Sequence, residues 1–163
     1  PDVEKMYSIR IRGDQVGILH QLGEFGNPDR HYFRPRLVTV QQTAGAANEV
    51  GCTIQYDVSL PSLSFSVVLE QVISPRYLIY RVQDGFARGG VLAFDIERLD
   101  EGLCLLSIYV AFQFPRGRGS LARLGWRLFG SGFPAFLHDV IWNHSLCELK
   151  HLVEMSSTQN PGR

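Results

Sequence analysis

The chain has 163 residues, 45% of them hydrophobic and 20% charged, with sixteen Lys and Arg balanced by sixteen Asp and Glu. That length and composition support one domain with a sizeable core and exclude a low-complexity, disordered chain. The charge balance leaves no overall field to draw the chain to nucleic acid, so a nucleic-acid partner is not expected.

Cys52, Cys104 and Cys147 are odd in number and far apart, and none belongs to a C-x-x-C. They read as reduced thiols in a reducing compartment. The sequence has no signal-peptide-like apolar segment and no apolar run long enough to cross a bilayer. The expectation is a single cytoplasmic domain over residues 1–163, with no cofactor, and with the oligomeric state left open.

Met6–Arg12 alternates and predicts a first strand. Asp14 is a good N-cap for a helix over Gln15–Phe25, in which Ile18, Leu22 and Phe25 share a face with Leu19 beside them. Gly17 and Gly23 weaken that helix, by about 1 kcal/mol each relative to Ala. Gly26-Asn27-Pro28 ends it, and Asp29–Phe33 suits a second short helical turn. A run of strands comes next: Pro35–Gln42, Gly51–Val58, Phe65–Ile73, Arg76–Val82, Val91–Leu99 and Cys104–Phe114. Thr43–Asn48 is a small-residue loop, and Asp100-Glu101-Gly102 is a hairpin connection. Their period-two alternation means antiparallel strands with one covered and one wet face.

The last long stretch begins with a short segment, Leu121–Phe129, which Gly130-Ser131-Gly132 separates from a long helix. That helix runs from Pro134 to Met155, and no Gly or Pro interrupts it after Pro134. Leu137, Val140, Ile141 and Cys147 fall on one side, with His144 and His151 among them. Trp142, Leu146, Leu149 and Val153 form a second apolar stripe behind the first. A helix apolar on most of its circumference lies in a groove, and the upstream strands are the natural source of one.

This order of one strand, one or two helices, about six strands and a long helix resembles the helix-grip fold of the START-like (SRPBCC) superfamily. That superfamily includes polyketide cyclases and birch-pollen-type allergens. The resemblance rests on element order and on the final FPAFLHDVIWNHSLCELKHLVE helix, and covers nearly the whole chain. It implies an α+β fold in which about seven antiparallel strands wrap the C-terminal helix around an apolar cavity. It also implies a hydrophobic ligand (a lipid, polyketide or terpenoid), or a cyclase, dehydratase or isomerase working on one. Some relatives carry a regular Gly-rich loop between their second and third strands. Thr43–Asn48 holds only Gly45, so a phosphate-binding role there is not expected.

Under this reading the cavity is lined by Tyr56, Arg76, Tyr80, Phe94, Ile108, Phe112, Leu137, Val140, Ile141 and His144. His144, Tyr80, Tyr56 and Asp139 are the candidate acid–base groups, beside the plainer reading of a buried, hydrogen-bonded histidine and core phenols. Arg76 shares Tyr80's parity and is placed at the cavity mouth. If His144 looks into the cavity, the Trp142 side packs elsewhere. Cys147 could pair with His144 as a nucleophile, but a buried structural thiol is the commoner case. Glu148-x-x-His151 has the spacing of carboxylate-bridged metal helices, but no second such motif exists, so no metal is expected. Arg116, Arg118, Arg123 and Arg127 form a basic patch that could meet an acidic carrier protein or an anionic membrane surface, beside the plainer reading of a solvated hinge.

Overall fold

The computed structural model describes residues 3–27, 29, 38–59, 63–113 and 133–159. The basic patch at Arg116–Arg127, the 121–129 segment and most of the expected Asp29–Phe33 turn lie outside these. Seven strands form one antiparallel sheet: β1 (Val3–Arg12), β2 (Val38–Ala44), β3 (Thr53–Val58), β4 (Leu63–Ile73), β5 (Tyr77–Val82), β6 (Val91–Asp100) and β7 (Leu103–Phe112). Their spatial order is β1-β7-β6-β5-β4-β3-β2, so only β1 leaves its place in the meander, pairing with the last strand. Among the described residues two α-helices pack with the sheet, α1 (Gln15–Gly23) and the long α2 (Phe133–Gln159).

The strands form where the alternation predicts. Along β7, Cys104, Leu106, Ile108, Val110 and Phe112 are all buried, and the residues between them are half-exposed. β6 buries Leu92, Phe94 and Ile96 in the same way. β4 starts two residues before the expected Phe65 and bulges between Leu69 and Gln71. Together with bulges at Gln42/Ala44 and Arg98/Asp100, it bends the sheet into a curl.

Asp14 caps α1 as expected, its Oδ1 accepting the Gly17 backbone N–H at 2.7 Å. The regular helix stops at Gly23 and tightens into a 3-10 turn over Glu24–Gly26, which buries Phe25. Gly23 has a packing reason. A Cβ there would come within 2.6 Å of the Asn48 side-chain amide, which donates to the Leu19 carbonyl and ties the β2–β3 loop to α1. The β5–β6 connection folds back on β4. Asp84 accepts both the backbone N–H and the hydroxyl of Ser66, at 2.6 and 2.7 Å. Gly85 comes next with φ +70°, where a Cβ would collide with the Ser64 carbonyl oxygen.

α2 runs alongside β1. Asp139 meets Lys5 and Tyr7, and fifteen residues later Glu154 accepts the Arg12 backbone N–H at 2.9 Å. Fifteen helical residues rise about 22 Å, and Lys5 to Arg12 in a strand spans about 23 Å, so helix and strand keep step. This places a helix beside an edge strand that would otherwise invite pairing by another chain. Among the described residues no helix is long and apolar enough to cross a membrane.

Candidate functional site

The concave face of the sheet is built from cross-strand rows. One runs Leu78, Phe94, Ile108, Tyr7 from β5 through β6 and β7 to β1. The next joins Leu69, Tyr80, Leu92 and Val110, and Cys52 extends it, since its carbonyl accepts the Leu69 N–H at 2.8 Å. A third pairs Tyr56 with Phe65, whose rings stack at 5.0 Å and 3°. All these residues are buried except Phe65, which is partly buried. Among the described residues no charged side chain is buried.

An aromatic group closes one end. Trp142 of α2 meets Phe94 edge-on at 6.2 Å, Phe25 packs against both, and Tyr80 approaches Phe94 edge-on at 6.0 Å. Trp142, Leu146, Leu149 and Val153 are therefore the stripe of α2 that enters the core, each at most 6% exposed. This corrects the expectation that the Trp142 side packs elsewhere. Two apolar stripes competed for the sheet, and the bulkier one, with an aromatic surface awaiting it, took it. His144 stands about 200° round the helix from Trp142, half-buried, with Val140 and Ile141 also half-buried on that side. Cys147 is exposed, which corrects its reading as a buried thiol. His151 is exposed too, and among the described residues no three His, Cys, Asp or Glu side chains group as metal ligands. The side chain of Leu137 lies outside those described.

Tyr56, Tyr80, Phe94, Ile108 and Phe112 all lie on the concave face, at 6% exposure or less. Arg76 does not. It is exposed, its Nε pairs with Asp95 Oδ1 at 3.0 Å, and its guanidinium lies over the Tyr77 ring. Asp95 and Tyr77 face outward, so the placement of Arg76 at a cavity mouth is corrected. Parity was carried back through the turn before Tyr77, and the ion pair on the outer face decides otherwise.

Burial raises the Tyr56 phenol well above the ordinary tyrosine range, with smaller contributions from Tyr80 and Cys52. Burial also raises Tyr80, with Cys52 again contributing. The Cys52 thiol is raised by burial, an effect partly offset by a hydrogen bond from the Asn48 backbone. All three stay protonated near neutral pH, as weak donors and not as bases. The sequence reading missed a further polar contact. The Tyr7 hydroxyl donates to Asp139 Oδ1 at 2.7 Å, and Lys5 Nζ lies 3.5 Å from the same oxygen. Tyr7's inward parity on its strand was a visible signal, but its partner is 132 positions away.

No family model matches the chain, and no curated protein matches it. Solved structures do. A START superfamily protein from Mycobacterium smegmatis is 14% identical with a TM-score of 0.59, covering 93% of this chain and 97% of that one. The helix-grip fold is the fold of this chain. The ginseng major latex-like protein 151 from Panax ginseng shares it at 12% identity and TM-score 0.54, over 93% of this chain and 97% of its own. The Aha1 dimer from Colwellia psychrerythraea does so at 14% and 0.55, over 93% and 96%. In helix-grip terms, Trp142 and Phe25 wedge the gripped helix and the 3-10 turn against the sheet.

Proposed function

We propose that this protein binds a hydrophobic small molecule, lipid-, polyketide- or terpenoid-like, between the concave face of its sheet and α2. The observation that carries the reading is a mismatch of widths. Seven strands span about 29 Å across; among the described residues α2 covers about 10 Å of that width, with α1 and the 3-10 turn packing on parts of the rest. The described part of α2 lies along β1 and α1. The inward residues of β3, β4 and β5 are nevertheless apolar or phenolic and withdrawn from solvent, as the wall of an apolar binding volume would be. Likeness to START and latex-like folds supports the same reading by analogy alone.

Acid–base catalysis by His144, Tyr56 and Tyr80 has less support. The phenols are too weakly acidic to serve as bases at neutral pH, and His144 stands on the side of α2 away from Trp142. An acidic carrier or anionic membrane partner at Arg116, Arg118, Arg123 and Arg127 is a separate proposal. Changing Arg123 and Arg127 to Glu should abolish co-sedimentation with anionic vesicles while sparing uptake of a free apolar ligand.

The direct test of the main reading is native mass spectrometry of freshly purified protein, followed by titration with apolar fluorescent probes. A co-purified small molecule, or saturable 1:1 uptake, is expected. A protein that carries no adduct and takes up no probe would refute the reading.

A further inference from the structure

We propose that the outer face of the sheet pairs with the same face of a second copy of this chain, about a two-fold axis that runs along β7. This face is turned away from α2 and the concave wall, so the proposal does not depend on the ligand-binding reading.

The outward residues of β1, β7 and β6 line up in cross-strand rows. Along β7 they are Leu103, Leu105, Ser107, Tyr109 and Ala111, all half-exposed and uncharged. One row joins Met6, Tyr109 and Ala93. Met6 is 69% exposed, the highest value for a large hydrophobic residue among those described. A single exposed methionine is ordinary, but one that continues an uncharged strip marks a surface suited to contact.

Charge names the partner. On either side of the β7 strip, β1 carries cations and β6 carries anions. Arg10 and Glu97 flank Leu105 in one row, and Arg12 and Asp100 flank Leu103 in the next. All four are exposed, and none makes an ion pair among the described residues. A half-turn about β7, outer face against outer face, sets β1 of each copy over β6 of the other and keeps each residue's height along the strand. Arg10 then meets the second copy's Glu97, Arg12 meets its Asp100, and the large Met6 meets the small Ala93. Each contact is made twice, as a two-fold requires. Ser8 comes opposite Asp95, whose carboxylate can accept from a hydroxyl, and Glu4 comes opposite Val91, with Arg81 next in that row. None of these opposed pairs is like-charged. Facing sheets pack about 30° off parallel, an offset that the long arginine side chains can span.

The area fits a modest dimer. Three strands of ten residues each present about 14 Å by 33 Å. Two such faces bury about 1,000 Å² in total, the lower bound for a specific interface. The dimer is therefore weak and reversible.

The experiment is sedimentation velocity of the parent, Met6→Arg, Arg10→Glu and Glu97→Arg, each from about 1 to 300 μM, the range in which a small interface associates. The three sites are exposed, so the variants should fold, and urea midpoints establish that they do. The parent should pass from monomer to dimer as its concentration rises. Each variant alone should dimerise at least about tenfold more weakly, because the two charge changes set like charges opposite at two symmetric places and the third sets a cation over Ala93. Arg10→Glu and Glu97→Arg mixed in equal amounts should recover the association, because every opposed pair then again carries opposite charges. A parent that stays monomeric throughout would overturn the proposal and leave this face to a different partner. A dimer indifferent to all three folded variants, or a mixture that associates no better than its components, would overturn it as well.

Discussion

Tyr7 is nine-tenths withdrawn from solvent and directs its hydroxyl at Asp139, so one oxygen atom joins the first strand to the last helix. Tyr7→Phe should lower stability by about 1 kcal/mol, the usual net value of such a bond, and not more, because Asp139 is partly exposed and keeps Lys5 nearby. Urea unfolding at pH 7 measures it, and a loss above about 3 kcal/mol would mean that the hydroxyl does more than hold Asp139. Gly85 is a sharper case. Its φ of +70° and the adjacent Ser64 carbonyl leave no room for a side chain. Gly85→Ala should cost at least about 2 kcal/mol through backbone strain and collision, read as a lower urea midpoint with an unchanged slope. These two residues mark the limit of what sequence showed at this scale. An Asp-Gly pair such as Asp84-Gly85 is a turn signal that the sequence carries openly, because turn chemistry is local. The Tyr7–Asp139 bond has no such signal, because it depends on two elements meeting.

The strands were legible almost completely, because a sheet covered on one face imposes a two-residue period that Cys104–Phe112 and Val91–Ile96 carry openly. The long helix was legible as a helix but not as to its orientation. Its two apolar stripes have similar hydrophobicity, and periodicity cannot say which meets the sheet. The structure assigns that contact to Trp142, Leu146, Leu149 and Val153, and two measurements check it. Leu149→Ala should destabilise by about 2–5 kcal/mol, as core truncations do, while Cys147→Ser should stay within about 0.5 kcal/mol. Of the three cysteines, Cys147 alone is exposed, so one thiol per native chain should react promptly with a disulfide reagent, and all three after denaturation. Prompt reaction of two or three would contradict the burial of Cys52 and Cys104.

At the scale of the whole molecule, the buried phenols make stability depend on alkaline pH. Tyr7, Tyr56 and Tyr80 are each raised in the folded state above the value near 10 of a free phenol. Burial is the main cause for all three, and the Asp139 carboxylate adds to it for Tyr7. A group raised on folding contributes stability that is fully present below its unfolded value and declines as pH rises past it. The native state holds these protons after the unfolded chain has released them. Stability should therefore be flat with respect to these groups up to about pH 9, then fall from about pH 10 upward. The limiting slope is about 1.4 kcal/mol per pH unit for each phenol. Urea midpoints at pH 8, 10 and 11 test this. Tyr80→Phe should shallow the decline, and an unchanged decline in that variant would show that Tyr80 is not buried as described.

The sequence by itself determined the class of fold: an antiparallel meander, a capped first helix, and a long final helix too apolar to stand in water. Each of these rests on local physics, a period of two or 3.6, a capping carboxylate or a turn glycine, that near neighbours in the chain suffice to express. Tertiary structure decided which stripe of α2 meets the sheet, that Arg76 pairs outward with Asp95, and that Tyr7 bonds Asp139. It also decided that Cys52, Tyr56 and Tyr80 share a wall. All four depend on which surfaces are brought together when the sheet curls around the helix. The free energy of such contacts belongs to pairs of residues up to 142 positions apart, and no periodicity within a single segment encodes a pair.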